Sequence, residues 1–317
     1  MTVPSNLVTT ANAVGNREDL SDIIHRVAPE KTPFISNIGR SKAKARYHEW
    51  QTENLATPDA ANAQLEGDDV GSLDSGNDTA RVANYCQIFR KTGGVSRTQE
   101  IVDKAGRDSE LARQKALKGI ELRRDMEKRF IGNFASNNES GSTPRRSAGL
   151  LAWLTSNVSR GTGGANGGFS TGVVAAATDG TQRTWTEALL KSAIATAFSA
   201  GAAPSQIYMG PAHKQQFSAF TGIASIRKEV DSGQATIVAG AEIYVSDFGE
   251  LVAIPHPYGL TRDAPIVDPE MAAVAMLDGY KTQTLAKTGD NERFMLTAEA
   301  CLEVRNEKGH AVVADLT

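Results

Sequence analysis

Between Glu49 and Ala80 the chain carries eight acidic residues and not one lysine or arginine. From Leu55 this stretch reads LATPDAANAQLEGDDVGSLDSGNDTA. It has few large apolar side chains and many turn formers, too little apolar surface to offset the entropy of ordering itself. Apolar and aromatic segments frame it, YHEW before and VANYCQIF after. Residues 44–52 and 81–92 alternate as strands do. They are expected as the two legs of a long hairpin whose tip is the acidic loop. An extended acidic arm held at both ends is suited to lying on something else, and the simplest partner is a second copy of the chain.

From Arg107 to Ala135 the spacing predicts one long helix. At roughly 100° per residue, Ala112, Ala116, Gly119, Met126, Phe130 and Phe134 share a face, with Ile120 at its edge. Small residues at its start and aromatics at its end suggest close packing on a sheet at one end. Arg123 falls in the middle of this stripe. Its head either reaches the rim or enters an ion pair, for instance with a neighbouring subunit. Eight bases and five acids interleave from Arg107 to Arg129. That pattern fits a solvated or interface face rather than a nucleic-acid stripe. The whole chain is only −3, so no global basic field draws nucleic acid.

The 317 residues suggest roughly two domains, at about 100–200 residues each. Residues 1–40 are polar, with a short helix expected over Glu18–Val27 and stopped by Pro29 and Pro33. Residues 156–181 hold seven glycines and read as a flexible surface loop. Thr184 to Glu187 has the capping-box pattern and opens a helix with Leu189, Leu190, Ala193, Ile194, Ala197 and Phe198 on one face. QIYMG reads as a buried strand, Pro211 opens a helix through Phe220, and short strands follow around an Asp247–Gly249 turn. In the last third, Leu296, Ala298, Ala300, Leu302 and Val304 form the apolar face of a long strand. Cys301 falls on its opposite, polar or interface side, as a small filler. Helices near the middle, strands toward the end and no βαβ rhythm give an α+β class.

The search for chemistry comes back nearly empty. The glycine-rich run lacks the G-K-[S/T] ending and the G-x-G-x-x-G pattern. His25, His48, His213, His256 and His310 are isolated, and EGDDVGSLDSGND lacks the EF-hand order, so no metal site is expected. No nucleophile elbow is present. No cofactor and no catalytic residue are assigned. Two cysteines are too few for a disulfide framework and suit a reducing cytoplasm. No segment resembles a signal peptide, and no run approaches the roughly 18–20 apolar residues of a membrane span. What remains is architectural: an arm without a core, a buttressing helix, and strands with both faces in use.

The ordered set YHEWQTENLA, EGDD, FRKTGGVSRTQEIVDKAGR, ELRRDMEKRFIGN, YVSDFG, LAKTGD and CLEVRNEKGHAVVADL resembles the major capsid proteins of tailed bacteriophages. These share the Hong Kong 97-type fold, also used by encapsulin compartments. The resemblance runs from about Arg17 to Leu316, and no single motif carries it. It implies an N-terminal arm over 1–40 and an E-loop over 41–104. It implies a peripheral domain over 105–149 and 263–306, with the long helix as its spine. It implies an axial domain over 150–262 and 307–317.

The resemblance further implies pentamers and hexamers of a head shell around double-stranded DNA, contacted non-specifically. It implies a place in the virion, assembly in the bacterial host cytoplasm, and portal, scaffolding or decoration proteins as partners. An encapsulin-like compartment is the alternative, and an enzyme with a non-local site the remote one. In this fold the E-loop lies over a neighbour's peripheral domain. Glu66, Asp68, Asp69 and Asp74 are therefore expected to dock on Arg113, Lys118, Arg123 and Arg124 of an adjacent subunit. Some relatives fix the shell by a Lys–Asn bond from the E-loop. Residues 47–90 contain no lysine, so no such crosslink is expected here.

Overall fold

A computed structural model describes residues 27–67, 69, 71, 73, 76, 79–220 and 242–317. The helix expected over Glu18–Val27 lies outside them, save Val27. Residues 27–32 are not helical, and Pro33 starts α1 (Pro33–Asn37). Its fixed φ suits the first helical position, where an N–H has no partner to lose.

Two sheets organise the chain. The first has four strands in the order β1 (Gly39–Lys42), β12 (Ala272–Leu285), β13 (Asn291–Val304) and β4 (Gln87–Ser96). Along β13 the apolar alternation holds: Phe294, Leu296, Ala298, Ala300, Leu302 and Val304 are all buried. Gly93 of β4 lies flat on the Phe294 ring, where a Cβ would stand 2.5 Å from the ring carbon Cζ. A side chain there would separate the two strands, so glycine is required by close approach rather than by a turn.

Against this sheet packs the long helix α3 (Glu110–Ile131), which follows the short α2 (Arg97–Ile101). It is shorter than the expected 107–135 at both ends, for local reasons. Ser109 caps it, its hydroxyl accepting from the Ala112 N–H at 3.1 Å. The Glu100 carboxylate takes the Glu110 and Leu111 N–H groups at 3.0 and 3.2 Å. Gly132 then turns the chain into extended backbone. Lys128 and Arg129 in the last turn suit the negative helix end. The buried face also differs from the expected stripe. Ala112 and Ala116 are exposed, while Leu122, Met126, Phe130 and Ile131 are buried. The second half of the helix is covered on more than one side, so its buried face widens there.

The second sheet has six strands in the order β5 (Val158–Ser159), β14 (Ala311–Val313), β11 (Ala264–Val267), β8 (Gln206–Met209), β10 (Gly249–Pro255) and β9 (Ile243–Ser246). β9 and β10 form the hairpin expected around Asp247–Gly249. Strand β11 lies beyond the expected 262/263 boundary, yet its ladders join it to β8 and β14. Helices α5 (Glu187–Ser199) and α6 (Pro211–Ser218) share a second core with this sheet. The capping-box expectation is off by two residues. Thr186 is the N-cap and makes no side-chain cap bond. Glu187 instead accepts from the Tyr244 hydroxyl at 3.0 Å and pairs with Lys191 at 2.9 Å. Phe198 is exposed and packs on Phe248, with ring centroids 4.9 Å apart.

Between the sheets, α4 (Leu150–Trp153) is wholly buried, and β6 (Gly168–Ser170) pairs with β7 (Val173–Ala175). The glycine-rich run is therefore an ordered element, not a loose loop. Asp315 pins it, its carboxylate accepting from the Gly161 and Gly180 N–H groups at 2.9 and 2.8 Å and from Arg262 at 3.0 Å. Burial raises the Asp315 carboxyl, but the two N–H groups and Arg262 outweigh it and hold the group below its ordinary value.

Candidate assembly surfaces

The arm is the hairpin of β2 (Tyr47–Thr52) and β3 (Ala80–Tyr85), in register from Tyr47↔Tyr85 to Thr52↔Ala80. Its legs are shorter than the expected 44–52 and 81–92, because the second breaks at Cys86 and residues 87–92 pair with β13 in the four-stranded sheet instead. Its root is fixed by three contacts. Trp50 Nε1 donates to the Val304 carbonyl at 2.9 Å, and its ring packs on Trp153 at 5.4 Å. Fully buried Asn84 donates to the Leu302 carbonyl at 2.7 Å and accepts from the Ala148 N–H at 2.9 Å. His48 Nε2 lies 3.0 Å from Glu303 Oε2, the oxygen that Ser41 also contacts. The His48 bond first, then Ser41 and Arg305, outweigh burial and hold the Glu303 carboxyl down at about 2.

The tip is the opposite. Leu55, Leu65 and Leu73 are 87%, 81% and 89% exposed. Glu66 and Asp69 are also exposed. Asp68 and Asp74 lie outside the described residues.

The basic helix face is partly used within the chain. Arg113 pairs with Glu110 at 3.1 Å and Lys118 with Glu121 at 2.8 Å. The Arg124 guanidinium lies over the Tyr258 ring, 5.4 Å from its centroid. Arg123 reaches the rim and donates to the Ser36 hydroxyl at 2.9 Å. With Arg40 and Tyr280 it frames a recess of about 290 Å³ floored by Met126, Val274 and Met276. The four bases expected to receive the arm thus share one helix, with Arg123 beside an apolar recess.

One buried junction has no counterpart in the sequence reading. The Glu127 carboxylate accepts from the Phe34 and Ile35 N–H groups at 2.7 and 2.8 Å and meets His256 Nε2 at 3.0 Å. Both side chains are wholly enclosed. It joins α1, α3 and the segment after β10 at one point. A carboxylate bordering the apolar stripe beside Met126 was its one visible signal. Among the described residues no three His, Cys, Asp or Glu side chains gather as a metal ion needs, and no helix is long and apolar enough to cross a membrane.

The chain thus presents an anchored arm, a helix braced on a four-stranded sheet, and a second sheet with its own core. Residues 4–317 match the SU10 major capsid protein family. The chain belongs to that family. A curated relative, the major capsid protein of Escherichia phage Phieco32, is 33% identical over 121 residues, 38% of this chain. That match spans 34% of the relative's length. The solved cyanophage A-1(L) capsid superposes with a TM-score of 0.66 at 12% identity, covering 99% of this chain and 100% of that one. The structure from Mycobacterium phage Bobi gives 0.61 at 11%, covering 95% and 96%. The holo-SrpI encapsulin complex from Synechococcus elongatus PCC 7942 gives 0.57 at 11%, covering 95% and 92%. These likenesses establish the Hong Kong 97-type fold for this SU10-family chain.

Proposed function

We propose that this chain is the shell subunit of a tailed-phage head. Its copies close into pentamers and hexamers that enclose double-stranded DNA and touch it without sequence preference. The role is structural, with no catalytic step. Its place is the virion, after assembly in the bacterial host cytoplasm, and portal, scaffolding and decoration proteins complete the particle. Within that subunit the residues before β1 act as the N-terminal arm, the hairpin of β2 and β3 as the E-loop, the four-stranded sheet with α3 as the peripheral domain, and the six-stranded sheet, β11 included, with α5 and α6 as the axial domain.

The observation that carries this reading is the arm. Its root is bonded into the four-stranded sheet, while its tip exposes three leucines and several carboxylates. Such a tip gains its apolar burial only on another surface. Laid over a neighbour's α3, its carboxylates meet Arg113, Lys118, Arg123 and Arg124. Exposed ion pairs contribute only about 0–1 kcal/mol each, so they set register while leucine burial supplies the larger share.

The test is to express the chain alone and image it by negative-stain electron microscopy. Closed shells, or rings of five and six, are expected. A chain that stays monomeric at every concentration and salt overturns unaided self-assembly. Shells that enclose protein cargo and protect no DNA in the phage would transfer the reading to a compartment. Since residues 47–90 contain no lysine, shells boiled in detergent are expected to run as monomers, and a persistent ladder counts against that expectation.

A further inference from the structure

Cys86 and Cys301 are both free and both 0% exposed, and their sulfurs lie 3.3 Å apart. Neither has a part in the assembly reading. Their approach follows from register. The antiparallel ladder of β4 on β13 ends at Gln87↔Ala300. One step further along the same register sets Cys86 opposite Cys301. At that step the strands no longer bond to each other through Cys86. Its N–H goes to the Arg46 carbonyl at 2.7 Å, and its carbonyl accepts from Arg145 Nε at 2.6 Å. A facing pair without ladder bonds brings Cβ atoms closest, which is the separation a disulfide needs. The buried side chains clustered with them, Ala43 and Ala275, are small, and the partly buried Leu277 packs against the group. Moving the sulfurs to about 2.05 Å therefore displaces no large buried side chain.

We propose that Cys86 and Cys301 are a disulfide site, open in a reducing cytoplasm and closed by exchange with a small-molecule disulfide in an oxidising medium. The Cys86 thiolate attacks one sulfur of the small disulfide. A mixed disulfide forms and the first small thiolate leaves, taking up the proton that Cys86 lost. Cys301 then gives up its proton and attacks the Cys86 sulfur, and the second small thiol departs. Two cysteine thiols are oxidised and one small disulfide is reduced to two thiols. The order of attack follows from the site. The hydrogen-bonded Cys301 thiol, 3.3 Å away, with Arg145 nearby, holds the Cys86 thiol below its ordinary value. The Cys86 sulfur and burial push Cys301 well above its own.

Because both sulfurs are enclosed, exchange passes through transient opening at the arm's root, and its rate reports that opening. Closure ties the foot of β3 to the C-terminal end of β13. The chemistry stands apart from the capsid reading, and only the consequence, a stapled arm root in the shell, rests on it.

The test uses the full folded chain, incubated with oxidised glutathione, quenched by alkylation in denaturant, and mapped by mass spectrometry without reductant. The expected result is joint loss of both alkylation sites, a linked pair of peptides holding Cys86 and Cys301, and reversal by dithiothreitol. Cys301→Ser is expected to stop at a glutathione adduct on Cys86, and Cys86→Ser to remain largely unmodified. Two thiols that stay fully alkylatable, or links between different chains, overturn the proposal. If a serine variant does not fold, the peptide map of the unmutated chain decides alone. Closure is read on monomers as well as shells, so failure to assemble and failure to close are separate results.

Discussion

The two ends of one hairpin differ more than any two domains of this molecule. At the root, Trp50, Asn84 and His48 each reach the end of β13, and the polar atoms that burial would orphan find partners. At the tip, thirty residues away at most along the chain, leucines stand more than 80% exposed among carboxylates. The root is complete within one subunit and the tip is not. A chain stabilises the first through its own folding free energy and the second only through association. Substitutions at the two ends should therefore separate folding from assembly.

The largest effect is expected at the tip. Replacing Leu55, Leu65 and Leu73 together by serine should abolish shells in electron micrographs while moving the denaturant midpoint of the chain very little. Surface changes away from packing sites stay within about 0.5 kcal/mol. A variant that still forms shells, or one that no longer folds, breaks the contrast. Next comes the root. Asn84→Ala leaves the Leu302 carbonyl and the Ala148 N–H buried without their partner. At about 1–3 kcal/mol for each orphaned group, the chain should lose roughly 3 kcal/mol, read by urea unfolding. Any assembly defect should follow that loss rather than exceed it.

These two ends were unequally legible in the sequence. The tip announced itself, because eight acids without a base and few large apolar residues describe a segment that cannot close a core. The legs were visible too, as alternation over 44–52 and 81–92, but not the break at Cys86 that gives residues 87–92 to the four-stranded sheet. The partners of the root were not. Asn84 and Glu303 are polar residues on strands, and a period of two says only which face they take. That face is covered by β1 and the arm itself, more than 200 residues from β13 in sequence, which is why Cys301, expected there as a small filler, is fully enclosed among Ala43, Cys86 and Ala275. Long-range coverage also moved the buried face of α3 toward Leu122 and Ile131. The four basic residues on that helix were readable as a set. Arg113 and Lys118 have in-chain partners at i,i+3 spacing, Glu110 and Glu121, whereas Arg123 and Arg124 meet Ser36 and Tyr258, too distant in sequence for any local spacing to record. The Glu127 junction depends on three segments meeting, which no local pattern records.

A third effect sharpens the root through pH. The folded Glu303 carboxyl sits near 2, below its unfolded value of about 4.3. A depressed carboxylate stabilises the fold fully above its unfolded value, and the contribution fades as pH falls toward 2. The size is on the order of 2 kcal/mol, since the side chain is only 11% exposed. Glu303→Gln should flatten the acid limb of stability between about pH 4.5 and 2. An unchanged slope would mean that His48 and Ser41 do not hold the arm's root through this carboxylate.

The smallest effect on folding, and the finest discriminator, belongs to Lys118. Its pair with Glu121 is one turn long and partly solvated, so breaking it with Lys118→Gln should change the folding stability by no more than about 0.5 kcal/mol, read by urea unfolding. If the arm of a neighbour also uses this ammonium, assembly should weaken at low salt and converge with the unmutated chain as salt rises, because screening removes the same attraction from both. If Glu121 is its sole partner, assembly curves for the two chains should overlie at every salt concentration. Comparing Lys118→Gln with Glu121→Gln separates the cases. Releasing Lys118 from Glu121 should strengthen docking of an acidic arm, whereas a purely internal pair would leave both variants alike.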